Sequence, residues 1–129
     1  MNFVYELNDR GIRVVLKDDN ATVCECKISI SNNVWSISEW FTSHVYKNRG
    51  YGTQTMQYAV KMLYDNYGMP EGVRYNWNCV NEYVFEWLKR HFDPKPLVPE
   101  YERFTGEDTW DAHIYILDKN KFIKYFTEN

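Results

Sequence analysis

No stretch of this 129-residue chain approaches the ~18–20 uninterrupted apolar residues that a membrane-spanning helix requires, so no membrane association is expected. Positive charge is in the minority: 15 Lys and Arg stand against 18 Asp and Glu, a net charge of −3, with no long basic run. Binding to a nucleic-acid backbone, which needs concentrated positive charge, is therefore not expected. The opening Met1-Asn2-Phe3-Val4-Tyr5-Glu6 has neither the basic region nor the long apolar core of a secretion signal. Cysteine is scarce and odd in number: Cys24, Cys26 and Cys79. Three thiols without a secretion signal point to free cysteines in a reducing, cytoplasmic setting. Cys24-x-Cys26 lacks the usual ligand spacing and has no neighbouring histidine, so no metal site is expected. No linker, repeat or low-complexity tract divides the chain, and its length suits one domain over residues 1–129.

Aromatic residues, by contrast, are plentiful at 18%, which reads as large side chains filling a small core. The first 45 residues read as short strands between turns. Phe3, Tyr5 and Leu7 alternate before Asn8-Asp9-Arg10-Gly11; Ile12–Leu16 is compact and apolar, closed by Asp18-Asp19-Asn20. Cys24, Cys26, Ile28 and Ile30 share one face of a strand over Thr22–Ile30, and after Ser31-Asn32-Asn33 a fourth strand runs from Val34 to about Thr42. Turns this short favour antiparallel neighbours. The period then changes: Met56, Ala59, Val60, Leu63 and Tyr67 form one helical stripe, stopped by Gly68 and Pro70. Val73, Tyr75, Trp77 and Cys79 alternate as a fifth strand. Asn81 is a plausible N-cap for a second helix carrying Val84, Phe85, Leu88 and Phe92. A last strand pair is expected over Leu97–Phe104 and Trp110–Leu117. The strand–helix–strand unit from Val34 to Cys79 is long enough for a crossover between parallel strands. The fold class is α+β, with a mixed, mostly antiparallel twisted sheet.

One segment carries chemistry. Lys47-Asn48-Arg49-Gly50-Tyr51-Gly52-Thr53 lies between the fourth strand and the first helix. Two glycines let the backbone turn with its amides exposed, the helix start adds orphan donors and a positive dipole end, and Lys47 and Arg49 add full charges. This is an anion seat suited to a phosphate or diphosphate. It is not a Walker loop, because Gly52 is followed directly by Thr53; nor is it a dinucleotide fingerprint, which needs a third glycine where Thr55 stands.

The run resembles motif A of the GNAT acetyltransferase superfamily, Q/R-x-x-G-x-G/A, with Lys47 at the first position and Gly50 and Gly52 as the small residues. The preceding strand, the following amphipathic helix, the strand ending at Cys79, the Asn81 that opens a second helix and the closing strand pair led by Asp111 extend the resemblance over about Val34 to Leu117. The resemblance implies an acetyl-CoA-dependent N-acetyltransferase, in which an amine attacks the thioester directly between two splayed parallel strands. Its cofactor residues would be Phe41, Thr42 and His44 at the strand end, Lys47, Asn48, Arg49, Gly50, Tyr51, Gly52 and Thr53 in the loop, and Asn81 beside the pantetheine arm.

Elementary acid–base chemistry ranks the catalytic groups. A lysine-like amine of reference pKa ~10.4 lies over ~3 units, or ~4–5 kcal/mol, from its free base at pH 7. A thiol leaving group lies only ~1.5 units, or ~2 kcal/mol, from ionisation. Deprotonating the acceptor therefore matters more than protonating the sulfur. Candidates for the base are Glu39, His44, His113 and Asp111. If Trp40 and Ile37 define alternate faces, Glu39 shares a face with Ile37 and Phe41 and would be costly to bury unpaired; the alternative is an exposed or bulge-turned residue. The general acid departs from the family pattern: the late second helix reads Trp87-Leu88-Lys89-Arg90-His91-Phe92, with no Tyr, leaving Tyr83 or Tyr115 as geometric substitutes and Trp87 and Leu88 as packing residues.

A second departure concerns the acceptor. Family members commonly carry two helices after the first strand, and four turn residues leave no room for them here. The acceptor site is then open, or completed by the aromatic C-terminal segment or by a second subunit in a homodimer. Glu100, Glu102, Glu107, Asp108 and Asp111 gather near that end, consistent with a cationic amine on a small molecule or a protein. The missing Tyr and missing wall also support a rival reading: a catalytically weak or inactive coenzyme-A-binding sensor or assembly module.

Overall fold

Seven strands order as β1-β2-β3-β4-β5-β7-β6 in the computed structural model, which describes residues 1–76, 82–97 and 113–128. The first four form the expected meander: β1 (Asn2–Asn8), β2 (Gly11–Asp18), β3 (Ala21–Ser31) and β4 (Val34–Thr42), each antiparallel to the last. The β3–β4 turn is Asn32-Asn33, both with positive φ (51° and 59°), the twist that a two-residue hairpin needs and that asparagine tolerates. Helix α1 (Tyr51–Tyr67) then crosses over to β5 (Gly72–Asn76), which pairs parallel to β4 from Val34–Gly72 to Ile37–Tyr75. Helix α2 (Glu82–Phe92) follows, stopped where Asp93 takes φ 47°.

Among the described residues the closing strands are β6 (Lys95–Pro96) and β7 (Ile114–Leu117); Leu97 lies beyond the end of β6, and the rest of the expected pair, residues 98–112, falls outside the described ones. Among the described residues a third helix, α3 (Lys119–Thr127), follows β7; no helix is expected there from the strand pattern alone. Its signal is present in the sequence: Asp118 caps it by accepting from the Lys121 N–H at 3.1 Å, and Phe122, Ile123 and Phe126 fall on one helical face.

The core lies on one face of the sheet. Ile12, Val14 and Leu16 of β2, Cys24, Cys26 and Ile28 of β3, and Trp35 and Ile37 of β4 meet Met56, Ala59, Val60 and Leu63 of α1, with Leu88 and Phe92 of α2 and the apolar stripe of α3 closing the same cluster. Phe92, Phe122 and Phe126 pack with centroids 5.0–5.9 Å apart, so much of the aromatic excess is spent where α2 meets α3. The opposite face carries Arg13, Lys27, Glu39 and Arg74, and among the described residues no helix packs on it. No described helix is long and apolar enough to cross a membrane.

Candidate functional site

The anion seat is assembled by the junction of β4 and α1. After Thr42 the chain makes a short turn at His44–Tyr46, and Gly50 caps α1 with φ 80°, a left-handed conformation that strains any residue with a Cβ. The helical ladder begins with Gln54 N–H to Gly50 O at 3.1 Å, so the amides of Tyr51, Gly52 and Thr53 have no intrahelical acceptor. The first turn holds no acidic side chain that would compete for them. Lys47, Asn48, Gly50, Tyr51, Gly52 and Thr53 all border one cleft of about 330 Å³, open between β4 and α2. Phe41 and Thr42 border it from the strand. His44 and Arg49 are exposed and do not line it.

Gly52 is required for a different reason from Gly50. A Cβ there would sit 3.2 Å from Thr42 Oγ1 and 3.5 Å from Trp40 Nε1. That closeness is functional in shape: Trp40 Nε1 donates to the Gly52 carbonyl at 3.1 Å, tying the helix start to the strand. Trp40 was read only as a strand residue in sequence, and nothing local marks its partner twelve positions away. A second tie anchors the turn, where Tyr46 Oη donates to Asp18 Oδ2 at 3.0 Å in the β2–β3 hairpin, and that bond raises the Tyr46 pKa. Tyr46, also missed in sequence, lines the cleft beside Tyr51, its ring edge-on at 6.1 Å.

The far wall is α2. Tyr83, two-thirds exposed at 67%, lines the cleft with Val84 and Trp87. Trp87 does more than pack: its ring meets Trp40 edge-to-face at 5.6 Å, joining strand and helix across the cleft. Leu88, as expected, is fully buried. Asn81 and Asp111 lie outside the described residues. His113 is half-buried just ahead of β7, and Tyr115 is stacked on Tyr75 at 5.6 Å, within the core rather than at the cleft.

Glu39 takes the exposed, bulge-turned alternative. The β3–β4 register jumps from Ile28–Ile37 to Lys27–Glu39, leaving Ser38 as an extra residue. This bulge turns β4 by one position, so Ile37 and Trp40 share the buried face while Glu39 and Phe41 point to the open one. Glu39 is exposed, and the expected cost of burying it does not arise. Cys24 and Cys26 are buried free thiols on the helix-covered face, with pKa values raised by burial. Among the described residues no cluster of His, Cys, Asp and Glu could hold a metal ion.

Searched against family models and against curated proteins, the sequence matches none. The fold does match solved structures. A GNAT-family acetyltransferase of Staphylococcus aureus superposes with TM-score 0.60 at 14% identity, covering 84% of this chain and 69% of that one. The catalytic domain of the Tetrahymena GCN5 histone acetyltransferase in complex with coenzyme A gives 0.57 at 13%, covering 83% and 64%. The fold is that of the GNAT acetyltransferases. A mutant of the AtaT toxin, bound to the C-terminus of the antitoxin AtaR and to acetyl-CoA, gives 0.58 at 12%, covering 92% of this chain and 73% of that one. The GNAT-like class expected from the loop and its flanking elements, α+β with a mixed sheet and a parallel crossover, is the one found. The tight Asn8–Gly11 turn leaves no helix between β1 and β2 in this version of the GNAT fold.

Proposed function

We propose that residues 1–129 form one acetyl-CoA-binding domain that moves an acetyl group to a primary amine. The observation that carries this reading is the set of free amides of Tyr51, Gly52 and Thr53 behind a left-handed Gly50, at the mouth of a cleft running from β4 to α2. The residues present fit a diphosphate: donors without acceptors, a positive helix end, Lys47 at the rim and no competing carboxylate. Two of the solved neighbours named above hold coenzyme A or acetyl-CoA, which supports the same ligand here. When bound, acetyl-CoA supplies an activated thioester and a good leaving group. The chain's part is to hold it and to manage protons at the amine. Phe41 and Thr42 offer backbone along the cleft; Glu39 and His113 are the described candidates for taking a proton from the acceptor, and Tyr83 for returning one to the sulfur, with Asp111 and Asn81 completing the proposed set.

The transfer balances simply. The acceptor ammonium first gives up one proton; its nitrogen then attacks the acetyl carbon, the C–N bond forms as the C–S bond breaks, the second proton leaves nitrogen, and the thiolate departs to be protonated. Calorimetry with acetyl-CoA tests the cofactor half. Saturable binding is expected, and Gly52→Glu, which sets a carboxylate among the free amides, is expected to weaken it at least ~tenfold. Absence of binding, or binding indifferent to that substitution, defeats the reading.

A second reading keeps the cofactor and drops the chemistry. It is favoured by Trp87, which stands at the cleft in the late α2 stretch where many relatives carry the Tyr, and which has no ionisable group. Coenzyme A release measured over a broad amine panel separates the two: binding without turnover on any amine favours a sensor or assembly module.

A further inference from the structure

The open face of the sheet holds a second depression, a trough of about 490 Å³ beside the cofactor cleft and sharing Trp40 and Phe41 with it. Four charged side chains line it, two of each sign. Arg13 and Glu25 are largely spoken for: they form a tight ion pair, with Glu25 buried at 8% exposure and the half-exposed Arg13 also within reach of the charges of Glu6 and Glu39. Lys27 and Glu39 are not. They sit directly opposite each other across β3 and β4, both exposed and both lining the trough, yet among the described residues neither side chain forms an ion pair or hydrogen bond, and Glu39 meets positive charge only through its longer-range attraction to Arg13. An acid and a base in adjacent register that leave each other unpaired present two separated, opposite charges to whatever enters. Phe41, 45% exposed, adds an apolar surface along the same wall.

Resting on the transferase reading above, we infer that the trough takes a zwitterionic acceptor, a free α-amino acid, with its ammonium at Glu39, its carboxylate at Lys27 and its side chain along Phe41. The complementarity is specific. A simple amine satisfies Glu39 alone and leaves Lys27 unused; an anion does the reverse. A molecule whose ammonium and carboxylate are two bonds apart on one carbon satisfies both at once, with the Arg13–Glu25 pair beside it holding one charge of each sign. Position supports the pairing as well. Glu39 immediately precedes the two residues common to trough and cleft, and the described pairing of β4 with β5 stops at Ile37–Tyr75, short of this point. The amine is thereby held next to the strand whose other side borders the cofactor cleft.

The test is a coenzyme A release assay on the full chain with matched acceptors that differ only in the carboxylate: phenylalanine against phenethylamine, lysine against cadaverine, alanine against ethylamine. At least one amino acid is expected to exceed its decarboxylated partner in kcat/KM by ~tenfold or more, the scale of one hydrogen bond to a charged group. Lys27→Met is expected to erase that preference through KM for the amino acid, with KM for acetyl-CoA unmoved and Lys27→Arg restoring the preference. Equal turnover of both partners, a Lys27→Met effect that falls alike on both, or failure to acetylate any amino acid while a simple amine is still acetylated overturns this inference alone. Failure to bind acetyl-CoA overturns the transferase reading, and this inference with it.

Discussion

Two buried indoles in β4 differ in a way that single substitutions resolve. Trp40 donates its N–H to the Gly52 carbonyl at 3.1 Å, whereas the N–H of Trp35, at 0% exposure, has no acceptor among the described residues. Trading Trp for Phe removes some volume from both sites. At position 40 it also removes a hydrogen bond, typically ~1 kcal/mol, and frees the helix start from the strand. At position 35 it removes an unsatisfied buried donor whose burial costs ~1–3 kcal/mol, which offsets the small cavity. In urea denaturation Trp35→Phe is therefore expected to be near neutral, and Trp40→Phe to be destabilising by ~1–2 kcal/mol. In calorimetry only Trp40→Phe is expected to weaken acetyl-CoA binding, because only that side chain holds the anion seat in place. Equal stabilities for the two variants would contradict this account.

Among the elements, α3 is short and depends on the core it joins. It is nine residues long, too short to persist alone in water, and its stability comes from Phe122, Ile123 and Phe126 packing against α1 and α2. Its cap is the one feature that acts before packing does. Asp118→Ala removes the acceptor for Lys121 N–H and is expected to cost ~0.5–2 kcal/mol, read as a fall in Tm with the near-ultraviolet spectrum retained. Phe126→Ala, which empties a fully buried site touching Phe92 and Phe122, is expected to cost ~3–5 kcal/mol and to destabilise the wall of the cleft that α2 supplies. If the cap variant proves worse than the Phe variant, packing is not what stabilises this helix.

At the scale of the molecule, stability should fall in alkali. Burial raises the pKa values of Cys24, Cys26 and Tyr75, with Tyr115 next to Tyr75 adding to the rise. In the unfolded chain these groups ionise from about pH 9.0 for the thiols and 10.0 for the phenol, whereas the folded chain keeps their protons. The unfolded state then binds fewer protons than the native one, so the slope of stability against pH is negative, up to ~1.4 kcal/mol per pH unit for each group. Urea midpoints measured from pH 7 to pH 10.5 should be flat at first and then decline above about pH 9; a rise over that upper range would refute the assignment. The same breadth of view explains what could be read in advance. Alternation and helical period are properties of consecutive residues, so β1 to β4, α1 and α2 were legible from Phe3, Cys24 and Met56 onward, and the loop from Lys47 to Thr53 marked the anion seat through glycine geometry and charge. A bulge was one of the alternatives open for Glu39, but its presence at Ser38 is a choice of register between β3 and β4 that leaves no mark in β4 by itself; only the pairing decided that Glu39 faces Lys27 on the open side instead of the core. Nor could sequence bring Trp40 to Gly52 or Trp87 to Trp40. Those contacts exist only once the chain has crossed over through α1 and α2 has closed on β4, which is a matter of packing in three dimensions and not of pattern along the chain.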